Sequence, residues 1–420
     1  MNKILITLVS IVLTTQGLYS QFRTLTSASD LGRPNTSVFS QNRFAGQLSA
    51  AYVGNLTINF QNPASYADAT LTSIEIGANS ISGGYHIGDS TLKSSGVGIN
   101  HLAIQVPLTA GRSGLSFGFM RNSNTDYSLK RVKQDSSFGK ITNQLIGTGN
   151  TYQAFIGTGF RFKNLKVGAN IGILFGKVDH NDDILFPDSS FLPKVSTTNS
   201  VSEFGLQYTL GAQYEFEPTK TRNILIGGYY SSALTHSATS ELKKQNVFDR
   251  SGTLEYISLK DTTTTYDLPK YSKFGLGISM IQNKTTLIGT EFTIENFSEF
   301  KSILSGQSLQ NAWHLHLGIE YKPFMSREID SRKYFNRLTY RIGAMVGKSE
   351  QNFAGTLNDI RFMGGATLPI LGRNIGYITL GAEYGIRGFG GDAKQISENY
   401  LSLHLILTFA DKWFLRQKFD

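Results

Sequence analysis

The sequence predicts an all-β protein, a transmembrane antiparallel β-barrel of about 14 strands with an N-terminal hatch or plug segment in the lumen. Three observations lead to this fold class. After about residue 70, segments of ten to sixteen residues alternate apolar side chains with small or polar ones, as in strands with two different faces. Many of these segments match the roughly nine to eleven tilted residues that cross a bilayer, about twice the usual strand length. Aromatic residues cluster near strand ends, where membrane barrels carry their girdles: Tyr208, Tyr214, Phe216, Tyr229, Tyr230, Phe409, Trp413 and Phe414.

Residues 1–20 are predicted to be a signal peptide. Lys3 gives a positive start, and an apolar run follows from Ile4 to Thr14. That run has the length of a signal-peptide core and is too short for a membrane helix of about 20 residues. We expect cleavage after Ser20. The chain contains no cysteine, which excludes disulfides, cysteine-based metal sites and a lipid anchor on a mature N-terminal cysteine.

Residues 21–69 are predicted to form the hatch. The stretch is long for a simple tail and contains an apolar run from Phe44 to Phe60. A barrel of this strand number leaves a lumen too wide for its own side chains to fill, and a folded plug would occupy that space. A disordered periplasmic arm is the alternative.

The barrel itself is predicted over residues 70–410, followed by a periplasmic tail at 411–420. The expected strands lie near 70–84, 95–107, 113–127, 149–161, 165–178, 201–217, 223–240, 270–281, 284–299, 312–322, 337–348, 359–370, 374–388 and 398–410. Their number is even, as in bacterial barrels, and short turns are expected at the periplasm. Long polar loops are expected outside, at 128–148, 179–200 and 241–269. The connection at 323–336 breaks this alternation, since it is longer than a tight turn and rich in charge.

Polar residues on the face opposite the apolar one are expected to line the lumen. They are Glu215, His314, His316, Glu320, Arg341, Glu383 and Arg387. His314 and His316 lie two apart on one strand and could form half a metal site, but spacing identifies no third ligand. Luminal histidines are therefore the favoured interpretation, and no cofactor is predicted. The paired charges could hold a plug or line a polar path for solute.

Neither catalysis nor nucleic-acid binding is predicted. The Gly-x-Ser-x-Gly, His-Glu-x-x-His and Walker motifs are absent from the sequence, and Gly157-Thr158-Gly159 lies in an alternating strand with no helix after it. The net charge is +9, and nucleic-acid binding would require the lysines and arginines to cluster on one face. In this sequence they are scattered. A membrane surface that carries anionic lipid fits this distribution, and a solvated loop surface fits it equally well. Outer-membrane lipid and lipopolysaccharide are the expected partners.

Several segments together resemble the FadL-like family of outer-membrane transporters for long-chain fatty acids and other hydrophobic compounds. They are Asn62-Pro63-Ala64, residues 147–178, residues 210–230, Leu268-Pro269 at the start of a strand, residues 337–348 and the tail 398–420. The resemblance covers essentially the whole mature chain and is strongest to the branch found in Bacteroidetes-type bacteria.

This resemblance implies a fourteen-stranded barrel with a hatch that contains Asn62, Pro63 and Ala64, and passive uptake of a hydrophobic small molecule across the outer membrane. It also implies that substrate leaves sideways through a gap in the wall. A gap requires a bent or bulged strand, and residues 121–127, where the alternation lapses, are the candidate.

A second function stays open because the sequence shows no long apolar extracellular segment, and the 241–269 region is polar and threonine-rich. The protein could instead be a structural or accessory subunit of a larger outer-membrane complex. A secretion translocon or the barrel-assembly machinery would be examples, with other outer-membrane proteins as partners.

Overall fold

A computed structural model describes most of the barrel and part of the hatch. The described residues are 33–34, 40–54, 56–87, 90–189, 191–250, 253–297, 309–323, 334–352, 356–370, 375–388 and 396–413. The predicted signal peptide 1–20 lies outside them, as do most of the hatch residues before Ser40 and residues 414–420 of the predicted tail.

Sixteen strands are present in these ranges. They are β1 (Arg33–Pro34), β2 (Thr72–Ile87), β3 (Ser90–Thr109), β4 (Ser113–Asp135), β5 (Gly139–Phe162), β6 (Leu165–Leu185), β7 (Lys194–Thr219), β8 (Arg222–Arg250), β9 (Thr253–Asp267), β10 (Ser272–Gln282), β11 (Thr286–Asn296), β12 (Ala312–Tyr321), β13 (Thr339–Asn352), β14 (Thr356–Ile370), β15 (Ile375–Arg387) and β16 (Ile396–Asp411). Three short 3-10 helices accompany them, at Gln41–Phe44, Pro63–Asp68 and Tyr334–Arg337. None of the helices in the described ranges has the length and apolar character to cross a bilayer.

Fourteen of the strands form one antiparallel barrel. Neighbours in sequence pair with each other, β10 pairs directly with β8, and β16 pairs with β2 from Thr72↔Asp411 to Ile87↔Ile396, which closes the wall. β9 lies beyond the wall and pairs with the upper part of β8, while β1 makes a two-residue pairing with β4. The predicted fold class is confirmed.

The two faces of the wall are inverted relative to a soluble protein. On β12 the apolar Trp313, Leu315 and Leu317 are exposed, whereas His314 and His316 between them are buried. Because side chains alternate across a strand, the same rhythm places an apolar surface outside and polar groups inside around the barrel. Burial in this molecule therefore means facing the lumen or the hatch.

The long polar loops predicted at 128–148, 179–200 and 241–269 are mostly strand, so that prediction was wrong. β4 pairs with β5 up to Asp135↔Gly139, β6 with β7 up to Ile184↔Val195, and β8 with β9 up to Arg250↔Thr253. The side chains of these polar, threonine-rich segments still alternate between two faces. The two strands of each hairpin satisfy each other's backbone hydrogen-bonding groups. Polarity there marks contact with water rather than loss of strand structure.

One side of the barrel is consequently much taller than the other. β8 has 29 residues and β10 has 11, so at about 3.3 Å per residue β8 continues for about 60 Å of additional strand. Short turns face the periplasm in membrane barrels, so we expect this extension on the outer side of the membrane. We call the upper parts of β4 to β8, together with β9, the crest.

One aromatic residue expected in a girdle at the membrane surface lies inside. Tyr229 is buried, and its hydroxyl donates to Gln61 Oε1 at 3.0 Å. Tyr214, Phe216 and Tyr230 do face outward.

Candidate functional site

The hatch fills the lower lumen, where its described residues are mostly buried. Asn62 starts the 3-10 helix Pro63–Asp68: its Oδ1 accepts from the amide of Ala64 at 3.2 Å, and its Nδ2 donates to the carbonyl of Ala50 at 2.7 Å. The predicted Asn62-Pro63-Ala64 group thus joins the two halves of the hatch. Proline at the first helical position suits this cap, because its missing N–H would have had no partner there.

Glycines in the wall receive the hatch backbone. A Cβ on Gly168 would lie 2.4 Å from the carbonyl carbon of Pro63, and one on Gly343 would lie 2.0 Å from the amide nitrogen of Gly46. Gly46 itself has φ +68°, a conformation that glycine adopts without strain. The wall is therefore shaped to the hatch at backbone level.

Buried charges fasten the hatch at several points. Arg43 Nη1 lies 3.0 Å from Glu383 Oε2. Glu291 Oε2 accepts the backbone amides of Ser49 at 2.6 Å and Ala50 at 2.7 Å. Near the short-turn end of the barrel, Asp68 pairs with Lys166 Nζ at 2.7 Å and with Arg161. Such charge-assisted contacts are stronger than neutral hydrogen bonds.

The structure brings Glu320 and Arg341 together with the hatch. Arg341 Nε donates to Glu320 Oε2 at 2.6 Å, and its Nη2 donates to Gln41 Oε1 at 3.1 Å. The Tyr52 hydroxyl also donates to Glu320, and Lys322 Nζ lies 2.6 Å from the other carboxylate oxygen. This pair holds the hatch against β12 and β13.

The remaining predicted charges lie apart from that pair. Glu215 is at the short-turn edge of the barrel, with Oε2 3.0 Å from Arg161 Nη1. Arg387 lies higher in the lumen, 3.0 Å from Asp359 Oδ2 and 3.2 Å from Glu398 Oε2. Glu383 lies between this upper group and the hatch, because it also accepts from Tyr400 at 2.8 Å.

His314 and His316 are buried neighbours whose ring centroids are 6.2 Å apart. The Nδ1 atom of His316 contacts the carbonyl of Gly46 at 2.9 Å, and its Nε2 contacts Thr293 Oγ1 at 3.2 Å. Both nitrogens of His316 are thus engaged by protein atoms. Within the described ranges, no group of three side chains is arranged to hold a metal ion.

Sequence reasoning missed several anchors, including Arg43, Asp68 and Glu291. Glu291 could have been found, since it follows the same alternation along β11 as the residues that were selected. Arg43 and Asp68 lie in the hatch, where no periodicity indicates which way a side chain points.

The wall contains a notch between β3 and β4. Their pairing runs from Thr109↔Ser113 up to His101↔Met120, and no further pair joins the two strands within the described part of the chain. Above that point β3 pairs with β2, while β4 pairs with β5 on one edge and, at Ser123 and Asn124, with the two residues of β1 on the other. We define the notch as the space between residues 90–100 of β3 and 121–135 of β4. The bend predicted at residues 121–127 lies on one side of it.

An apolar cluster lies against the base of the notch. It consists of Ile58, Tyr66, Ala103 and Phe155, with Phe60 and Met120 packed on it. The rings of Phe60 and Phe155 are 4.7 Å apart. Because Ala103 and Met120 lie within three residues of the last β3–β4 pair, this cluster joins hatch, wall and notch.

A polar link also connects the hatch to the last pair. His101 Nε2 lies 3.0 Å from Glu75 Oε1, while Glu75 Oε2 accepts from Ser40 Oγ at 3.0 Å and from Thr408 Oγ1 at 3.3 Å. The start of the described hatch, two strands of the closing seam and the base of the notch therefore share one carboxylate.

Comparison with known proteins gives one family and one fold. A family model described as BamG matches residues 1–420, the full sequence. Comparison with curated protein sequences gives no match.

Solved structures that share this fold include two toluene transporters and a FadL homologue. The P. putida toluene transporter TodX has a TM-score of 0.58 at 14% identity, covering 90% of this chain and 99% of that chain. The Ralstonia pickettii toluene transporter TbuX has a TM-score of 0.57 at 14% identity, with 90% and 99% covered. A Pseudomonas aeruginosa FadL homologue has a TM-score of 0.50 at 13% identity, with 93% and 99% covered. The FadL-like resemblance is confirmed for the fold; the Bacteroidetes-type branch stays a prediction.

Proposed function

The chain belongs to the BamG family, and from that membership and its FadL-like fold we propose an integral outer-membrane protein that passes hydrophobic small molecules sideways through the notch. The solute would enter from the crest side, reach the apolar cluster that joins the hatch to the wall, and leave between β3 and β4. The apolar outer face of the wall would contact lipid and, in the outer leaflet, lipopolysaccharide. The structural neighbours are named as transporters and channels, which points away from catalysis.

The observation that carries this proposal is the position of the apolar cluster. Polar and charged side chains line much of the described lumen. A hydrophobic solute would make few favourable contacts with them. At the base of the notch, Met120 is partly exposed and packs on the buried Ile58 and Phe155, so a hydrophobic solute would meet apolar groups there. Removing apolar area from water yields roughly 25 cal/mol per Å², which favours a hydrophobic solute at this corner.

The fastening of the hatch supports a sideways route rather than a downward one. A path straight through the barrel would require the hatch to leave Glu291 and Glu383 of the wall, and its own Asp68 to leave Lys166. Each of these carboxylates would lose buried partners. Buried charges deprived of their partners cost several kcal/mol each, on the order of 3–5.

The experiment exploits the absence of native cysteine. Ser123→Cys places one thiol on β4 beside the notch, and Thr263→Cys places one on the exposed strand β9 as a matched control. Each folded protein is modified with a bulky maleimide in cells, and uptake of labelled toluene is measured.

Blocking the thiol of the Ser123→Cys variant is expected to reduce uptake at least about tenfold, while blocking that of the Thr263→Cys variant leaves uptake within about twofold; a tenfold change corresponds to about 1.4 kcal/mol. Unchanged uptake after complete modification at position 123 would contradict the proposed route.

A second candidate function is that of an accessory subunit in a larger outer-membrane complex. The BamG description fits this role loosely, and the fully exposed strand β9 offers surface for a protein partner. Affinity purification of the full chain in mild detergent separates the two candidates. A stoichiometric outer-membrane partner together with no toluene uptake would favour the accessory role.

A further inference from the structure

The two strands that border the notch are both irregular at its base. In the pairing of β2 with β3, Asn100 is an additional residue between Ile99 and His101. In the pairing of β4 with β5, Asn122 is an additional residue between Arg121 and Ser123. Bulges of this kind bend a strand and re-aim its side chains. They occur here on opposite sides of the same opening.

The side chain of Arg121 crosses that opening. From β4, its Nη2 donates to Asn100 Oδ1 on β3 at 2.9 Å and to Asn79 Oδ1 on β2 at 3.5 Å. Asn79 in turn donates through Nδ2 to Ser402 Oγ on β16 at 3.4 Å. A line of polar contacts therefore runs from β4 across the notch to the closing seam.

The wall leaves room for this arrangement. A Cβ on Gly98 would lie 3.1 Å from Arg121 Nη1, so the guanidinium passes over a position without a side chain. The planar guanidinium can donate to two acceptors at fixed angles, which a lysine ammonium on a flexible stem does less well. Both of these acceptors are neutral amides, so the two contacts can break without leaving a carboxylate behind.

We propose that Arg121 is the latch of the notch. It holds the bulged part of β4 against β2 and β3 just above the last backbone pair, and the notch widens when the guanidinium leaves Asn79 and Asn100. Arg121 is a positioning residue that acts through the separation of the two strands. Its effect on transport rests on the proposed function, whereas its effect on notch opening does not.

Opening is measured as the rate at which a thiol-specific maleimide modifies Ser123→Cys in the folded, membrane-inserted protein. Ser123 is 3% exposed, its Oγ lies 2.8 Å from Thr151 Oγ1, and the residue pairs with Pro34 of β1, so reaction requires β4 to separate locally from these neighbours. The rate is compared in backgrounds carrying Arg121→Met, Arg121→Lys and Arg112→Met. Arg112 is the matched control, because it is an exposed arginine at the turn of the same hairpin.

Arg121→Met is expected to raise the modification rate about tenfold, the effect of about 1.4 kcal/mol on an opening equilibrium. Arg121→Lys should give a smaller rise, and Arg112→Met should leave the rate within about twofold. An unchanged rate with Arg121→Met, or an equal rise with Arg112→Met, would overturn the latch. All variants are first required to run as heat-modifiable barrels; should Arg121→Met fail this, Arg121→Gln takes its place.

A double variant tests the contact itself. Asn100→Ala and Arg121→Met should raise the rate by no more in combination than the larger single change does, because both remove the same contact. Full multiplication of the two effects would contradict the latch. Toluene uptake is measured in parallel: faster modification without altered uptake keeps the latch and rejects the notch as the route, so the two proposals fail separately.

Discussion

At the scale of single residues, charged side chains of the wall accept hydrogen bonds from the backbone of the hatch. Glu291 shows this most simply, since one carboxylate oxygen accepts two consecutive hatch amides. Alternation along β11 places this carboxylate inward while Phe292 and Ile294 face outward. The same alternation predicted that Glu320 and Glu383 point inward. It could not predict Tyr52 or Arg43 as partners, because those contacts join residues 268 and 340 positions apart.

Replacing Glu291 separates its charge from its hydrogen bonds. Glu291→Ala leaves the amides of Ser49 and Ala50 without their acceptor and should lower the free energy of unfolding by about 1–3 kcal/mol. Glu291→Gln keeps an acceptor oxygen and should cost clearly less. Both stabilities are measured as the temperature at which half of the protein changes from folded to unfolded migration on a gel. Equal midpoints for the two variants would contradict the role of Glu291 as an acceptor for the hatch amides.

Glycines that meet the hatch should differ from glycines that do not. Gly343→Ala places a Cβ 2.0 Å from the backbone of Gly46, whereas Gly364→Ala, next to it on β14, meets only a carbonyl oxygen at 3.6 Å. We expect Gly343→Ala to destabilise the protein by about 1–3 kcal/mol, as overpacking does, and to expose the hatch to protease. Gly364→Ala serves as the control and should behave as the unaltered chain.

At the scale of elements, strand length was the hardest feature to predict. The sequence placed fourteen membrane strands by their rhythm, but β5 begins at Gly139 and not near residue 149, and β8 continues to Arg250. The polar residues of these extensions look like loop in a sequence because they lack the regular apolar face of the membrane strands. The notch was partly predicted, since the alternation lapses at residues 121–127, but Asn100 on the facing strand gave no comparable signal.

Shortening the crest should leave the barrel intact. Ser240 pairs with Thr264, so residues 241–263 can be replaced by an Asn-Gly turn of the kind that joins hairpin strands. The remaining part of β8 keeps its pairs with β7 and β10, and we expect normal membrane insertion and heat modification. Failure to insert would show that the crest is needed to form the wall, and loss of a copurifying partner would map the partner to the crest.

At the scale of the whole molecule, closure depends on β16. This strand pairs with β15 on one side and with β2 on the other, so its removal exposes two strand edges. Unpaired backbone groups are not tolerated in hydrocarbon. Deleting residues 398–420 should therefore abolish outer-membrane insertion, whereas deleting 412–420 leaves every pair of β16 in place and should permit it. Membrane fractionation with heat modification decides, and a normal barrel from the longer deletion would contradict the role of β16.

The shared carboxylate of Glu75 sets a condition on the order of assembly. It contacts Ser40 near the start of the chain and Thr408 near its end, and Thr408 is 333 positions away. A closed cylinder offers a folded segment of this size no easy entry, so the first part to be synthesised has to wait in place until the last strand arrives. Biogenesis of this protein is then a wrapping process: the wall curls around its own beginning, and any helper that holds the growing sheet open must release it only after the early residues have been enclosed.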